Sequence, residues 1–202
     1  GSVPVDRPYL GLGRPSHGVQ LSTQDTNPLS LEEAHPDKSG NAVALGEHPI
    51  GAWKEGLDDA IELIEQVLPE WAAEIPVALS RIVPVGSEEQ MHLSASYREA
   101  PELVYMTLHP DPLTMAEAIV HEVQHSKCNL LSWMDPVLHN GYTTWTDSPV
   151  RPDLRPLMGV LLAVHAFVPV AALHHRLAVR DHPLSRTQRF LERRLEVLSG
   201  NR

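Results

Sequence analysis

The chain has 202 residues, 42% of them hydrophobic, with a formal net charge of -10 and one cysteine. That length and apolar share sustain a single core, the negative charge excludes binding a nucleic-acid backbone by bulk charge neutralisation, and the lone Cys128 excludes an internal disulfide. With no signal peptide and no long apolar span identified, the expectation is a soluble, cytoplasmic protein with no membrane and no nucleic-acid partner.

Residues 1–50 read as a Pro- and Gly-rich irregular N-terminal arm, and 51–202 as the main domain. Gly1-Ser2 resembles a cleavage scar ahead of Val3, so a longer natural chain is expected. Within the arm, Tyr9, Leu10, Leu12, Val19 and Leu21 leave two readings open: a disordered linker, or a segment wrapped over the body. Trp53, Leu57, Ile61, Ile64 and Leu68 then recur at helical spacing until Pro69 ends or kinks the element.

Three strand-like runs follow, at 77–85, 91–97 and 103–108, separated by Gly86-Ser87 and Glu99-Ala100-Pro101 turn signals. A helix over about 114–131 comes next, with Thr114 three residues before Glu117 as a capping-box signature. A polar loop through Asn140-Gly141 to Pro156 leads to an apolar helix from Leu157 to about Val179. The last helix carries the stripe Phe190, Leu191, Leu195 and Leu198, with Arg189, Arg193 and Arg194 as its solvated face. This order predicts an α+β fold, a small antiparallel sheet with helices on it. If the run 103–108 is an edge strand, its unpaired backbone suits an extended peptide.

The most informative residues are His121-Glu122-Val123-Gln124-His125. On a helix, imidazoles four residues apart project from one face one turn apart, the geometry that grips one divalent metal ion. Two ligands leave the coordination unfinished, so a third must come from downstream: His139, Asp147, Asp153, His165, His174, His175, Asp181 or His182. His165 stands out because it lies in an apolar run, Leu161 to Val168, where an unpaired ring costs free energy. It is either a core histidine with its own partner or the third ligand. Asp147 is the next candidate and would complete a two-His, one-carboxylate set suited to non-haem iron. His174 and His175 read as an exposed helix end.

Glu122 has two readings. In zinc peptidases a carboxylate at this position takes a proton from metal-bound water; in an oxygenase it supports the site from behind the ligands. Gln124 is placed for contacts behind the ligands, Lys127 for the side facing away from the metal, and Tyr142 and Trp145 for either lining a pocket or anchoring their loop.

The run His-Glu-Val-Gln-His-Ser-Lys at 121–127, Leu130-Leu131, the stretch Arg151-Pro152-Asp153-Leu154-Arg155-Pro156-Leu157, Gly159 and Val164-His165-Ala166-Phe167 together resemble the HExxH-motif peptide-modification family. The resemblance covers mainly residues 112–180. It implies a zincin-like fold and an iron(II)- and 2-oxoglutarate-dependent dioxygenase that uses O2 to β-hydroxylate a residue of a ribosomally made precursor peptide, sometimes fused to a radical SAM peptide maturase. Carried over residue by residue, it implies His121, His125 and His165 as iron ligands. A 2-oxoglutarate cosubstrate needs a cation for its distal carboxylate, for which a planar guanidinium is suited, with Arg155 first and Arg151 second. The rivals are a zinc-dependent endopeptidase that trims a leader peptide, with Glu122 as its base, and a non-catalytic peptide-binding module with a structural metal.

Overall fold

The computed structural model describes residues 9–12, 18–25, 27, 43–86, 92–148 and 151–200. Its elements in chain order are β1 (Tyr9–Gly11), β2 (Gln20–Ser22), α1 (Ile50–Val67), the short α2 (Pro69–Ala72) and α3 (Ile75–Ala78), β3 (Arg81–Pro84), β4 (Ser94–Tyr97), β5 (Ala100–Met106) and α4 (Pro112–Met134). They continue with β6 (Trp145–Ser148), β7 (Arg151–Pro156), α5 (Leu157–Val179), a 3-10 turn (Pro183–Arg186) and α6 (Gln188–Gly200).

The fold is α+β, but its main sheet is mixed where an antiparallel one was expected. The strand order is β1-β2-β3-β5-β4; β3 runs parallel to both β2 and β5, while β1 and β4 pair antiparallel at the two edges. The helical segments between β2 and β3 give the chain room for a parallel crossover, which a tight turn does not. The run 103–108 is therefore internal, as part of β5, and the edge beside α4 is β4. Val77 and Ala78, expected to open a strand, belong to α3; Ser87 and Met91 lie outside the described residues.

Side chains alternate across the sheet with the period of two that a strand imposes. Ile82, Val104 and Met106 enter the large core shared with α1 and α4, whereas Val83, Leu103 and Tyr105 form a second cluster under Val43 and Tyr97. The Tyr105 hydroxyl donates to Asp25 at 2.7 Å and accepts from Asn27 at 3.1 Å, so this face is closed by the chain leading out of β2. Burial holds the Tyr105 phenol well above its usual range. Leu12, Val19 and Leu21 are buried as well. Of the two readings of the arm, its described part is the wrapped one, contributing two strands to the sheet.

α4 is the central element, packed against α5, α1, α3 and the β4–β5 pair. α5 spans Leu157–Val179 as expected, and its length and mean hydropathy of 2.0 qualify it as a candidate membrane span, a feature the sequence reading overlooked. It nevertheless packs on α4 and α6, burying Ala166, Val170, Leu173, His174 and Leu177. The expected polar loop contains a hairpin, β6 with β7, that pairs Thr146 with Arg155. In α6 the buried residues are Phe190 and Val197, while Leu191, Leu195 and Leu198 of the expected stripe are exposed.

Candidate metal centre and its cavity

α4 begins at Asp111, whose carboxylate accepts from the Leu113 N–H and the Thr114 hydroxyl, each at 3.1 Å, with Pro112 preset for the first turn. The expected capping box does not form, because Glu117 is drawn into the interior. It accepts from His174 Nε2 at 2.7 Å and from Arg193 Nε at 2.8 Å, joining α4 to α5 and α6. His174 is fully buried, a correction to its reading as an exposed helix end.

Two turns of α4 present His121 and His125 on one face, with their Nε2 atoms 2.9 Å apart and their rings edge to face at 4.5 Å. Burial pushes both imidazoles down to about 4, helped for His121 by Arg193 and for His125 by His121 itself. Both are neutral at pH 7. Neutral nitrogens at this separation either share one proton or aim two lone pairs at a common cation. Nitrogens held about 2.1 Å from one ion stand about 3.0 Å apart at a right angle and about 3.4 Å apart at the tetrahedral angle. The pair fits such an ion. Phe167 of α5 covers His121 edge to face at 5.0 Å.

The predicted trio is less complete. Among the described residues no group of three His, Cys, Asp or Glu side chains is arranged to hold a metal ion, so His121, His125 and His165 stand as a pair and a neighbour. His165 is close enough for its charge to disfavour protonation of His125. Its Nδ1 is buried with no hydrogen-bond partner, and burial lowers its pKa. Both readings of His165 stand: the Gln124 backbone supplies it a hydrogen-bond partner, while Nδ1 has none among the described residues. Asp147 lies exposed on β6.

Glu122 is buried, and each of its oxygens accepts a serine hydroxyl from the edge strand: Ser94 at 2.8 Å and Ser96 at 2.6 Å. It clasps β4 to α4. Lys127 reaches Glu74 at 2.5 Å and Gln124 at 3.1 Å, and its charge adds to burial in lowering the His165 pKa. Gln124 itself is buried.

A cavity of about 480 Å³ opens beside His121, walled by His92, His109, Glu117, Phe167, Arg189 and Arg193 among others. Neither Glu122 nor His125 is among its lining residues. The two arginines, read from sequence as solvated helix surface, are exposed, and the turn at 183–186 folds α6 back so that they also reach α4. The signal available was their spacing of four, which places both on one face of the helix. His92 and His109 were not singled out, since nothing local in the sequence brings the end of β5 and the start of β4 to the metal helix.

Arg155, the expected cosubstrate clamp, does not line this cavity: it sits on β7, where its Nε lies 2.9 Å from the Asp153 carboxylate in its own strand. That nitrogen is buried, and the contact is an ion pair without hydrogen-bond alignment. The side chain of Arg151 lies outside the described residues. Tyr142 and Trp145 are exposed and line no part of the cavity. Comparison with known proteins adds no relative: no protein-family model matches the chain, and no curated protein sequence does either.

Proposed function

We propose that the chain is an iron(II)- and 2-oxoglutarate-dependent hydroxylase acting on the β-carbon of a residue in a ribosomally synthesised precursor peptide. The observation that carries this reading is the half-buried, neutral His121–His125 pair, 2.9 Å between nitrogens, beside a cavity of about 480 Å³. That volume falls in the range of small-molecule sites. His121 and His125 would hold the ion, with His165 as the third ligand, supported by its proximity to His125. A zincin-like frame is supported by the antiparallel edge strand β4 running beside the metal helix.

Bound iron would supply oxygen activation; the protein supplies placement and exclusion of water. In the overall balance, one atom of dioxygen enters a peptide C–H bond and the other enters succinate. Carbon dioxide leaves the keto acid, which provides two electrons while the C–H bond provides two more. Phe167 shields His121, and Glu122 fixes β4, whose outer side carries no further strand among the described residues and can pair with an extended peptide. We place the reaction in the cytoplasm, with a radical SAM maturase domain or protein as a working partner on the strength of the resemblance.

The rival, a zinc endopeptidase, needs Glu122 as a base on metal-bound water. Its two oxygens are instead each engaged by a serine. The test is incubation of the protein with the precursor peptide under each metal. Gain of one oxygen atom, dependent on iron and 2-oxoglutarate and accompanied by succinate, supports hydroxylation; cleavage products with zinc, independent of the keto acid, overturn it.

A further inference from the structure

We propose that His109 and Arg189, with the His92 ring packed against His109, form a carboxylate-binding subsite in the His121 cavity, the anchor for the remote carboxylate of a keto diacid. The identity of the ligand rests on the hydroxylase reading above; the subsite itself rests on where the protons must be.

His109 Nδ1 accepts the Asp111 N–H at 3.0 Å, which forces the ring proton onto Nε2. That Nε2 lies 3.3 Å from an Arg189 nitrogen, which can also only donate. Two donors therefore face each other with no acceptor between them. Burial and the Arg189 charge both lower the His109 pKa, as this opposition requires.

His92 packs beside them. Thr107 Oγ1 accepts the Leu93 N–H at 2.9 Å and has its own proton to give. The nearer acceptor is His92 Nδ1 at 3.1 Å; the Leu93 carbonyl is 3.5 Å away and already takes the Thr107 N–H at 2.9 Å. His92 Nε2 is buried with no hydrogen-bond partner among the described residues. The His92 and His109 rings touch edge to face, 5.8 Å between centroids. The two opposed donors, His109 Nε2 and Arg189, call for one oxyanion between them.

The two carboxylates on that wall do not serve. Asp111 accepts from the Leu113 N–H and the Thr114 hydroxyl, with Arg189 Nε at 3.3 Å, and Glu117 is bound by His174 and Arg193. An incoming carboxylate set between His109 and Arg189 turns a repulsive contact into two charge-assisted hydrogen bonds.

Distance selects the length of the ligand. Arg189 also donates to Thr114 at 3.1 Å. Thr114 precedes His121 by seven residues, about 10 Å along a helix. A five-carbon diacid is about 5 Å long between its carboxyl carbons, and a metal bond of about 2 Å with a hydrogen bond of about 2.9 Å brings its reach to that order. Pyruvate, lacking the second carboxylate, falls short.

The experiment titrates anaerobic, iron(II)-loaded protein with 2-oxoglutarate and with pyruvate, following the visible band of an iron-bound keto acid, and in parallel titrates metal-free protein with glutarate by calorimetry. Arg189→Met and His109→Phe are expected to weaken 2-oxoglutarate and glutarate roughly ten- to hundredfold while leaving pyruvate unchanged. His109→Gln, which keeps a donor near the Nε2 position but loses the Asp111 contact as His109→Phe does, should bind glutarate more tightly than His109→Phe. If glutarate binds in this pattern but no keto acid gives the band, the subsite stands and the hydroxylase reading fails. If the band forms and 2-oxoglutarate affinity is unchanged in Arg189→Met, the subsite is overturned and the hydroxylase reading survives. Equal weakening of pyruvate and 2-oxoglutarate, or absence of glutarate binding to the parent protein, overturns the subsite as well.

Discussion

His174 and Glu117 meet at 2.7 Å inside the contact between α4 and α5, one helical turn before His121. The pair ties the metal helix to its neighbour, and Arg193 extends the tie to α6. Phe190 stacks on the His174 ring with 4.9 Å between centroids, so all three helices converge on one carboxylate.

Glu117→Ala removes that acceptor, leaves a buried imidazole unpaired and takes from Arg193 its inner partner while Glu196 remains. Loss of one partner from a buried pair costs about 3 kcal/mol, and urea denaturation should show a midpoint shift of that size. A change below about 1 kcal/mol, the scale of an ordinary surface substitution, would contradict the network's role.

The metal-free protein should lose stability in mild acid. His92, His121 and His125 are held at about 4 in the folded chain, against about 6.5 unfolded. Between these values the unfolded chain binds more protons, so stability is full above about 6.5 and falls as pH drops toward 4, by at most roughly 1.4 kcal/mol per pH unit per group. Denaturation midpoints that stay flat from neutral pH to pH of about 5 would contradict it.

Glu122→Gln separates structural support from catalysis. As the clasp on β4, Glu122 contributes two hydrogen bonds to serines; losing the charge should cost about 1–3 kcal/mol of stability with turnover retained within about tenfold. A general base loses on the order of a hundred- to ten-thousandfold in rate when removed. A double-mutant cycle with Ser96→Ala should show strong coupling in stability, since the 2.6 Å contact is shared.

Arg155→Ala should leave the affinity for 2-oxoglutarate within about twofold of the parent, because the guanidinium is paired to Asp153 on the hairpin and lines no part of the cavity. A loss of tenfold or more, read in the same anaerobic titration, would return Arg155 to the site.

The parts legible in the sequence were those written in local periodicity. α1, α4 and α5 fall near their expected bounds because apolar residues at helical spacing have one way to bury, and the His121–His125 pair follows from two residues on one helix. The parallel pairing of β3 and β5 was not legible, since strand direction is set by the tertiary path and the alternation is the same either way. His174 was misread for a related reason: its partner, Glu117, is 57 residues earlier, and only helix packing joins them. The cavity wall is the extreme case, because β4, the chain after β5, and α6 each contribute a side chain whose neighbours in sequence are ordinary loop or surface residues.

The most direct test of the central claim is mass spectrometry of precursor peptide and succinate after reaction under isotope-labelled dioxygen with iron(II) and 2-oxoglutarate, for the parent protein and His121→Ala. The account predicts one labelled oxygen in the peptide and one in succinate, both lost in the variant. Unlabelled cleavage products that form without the keto acid, or label that persists in His121→Ala, would contradict it.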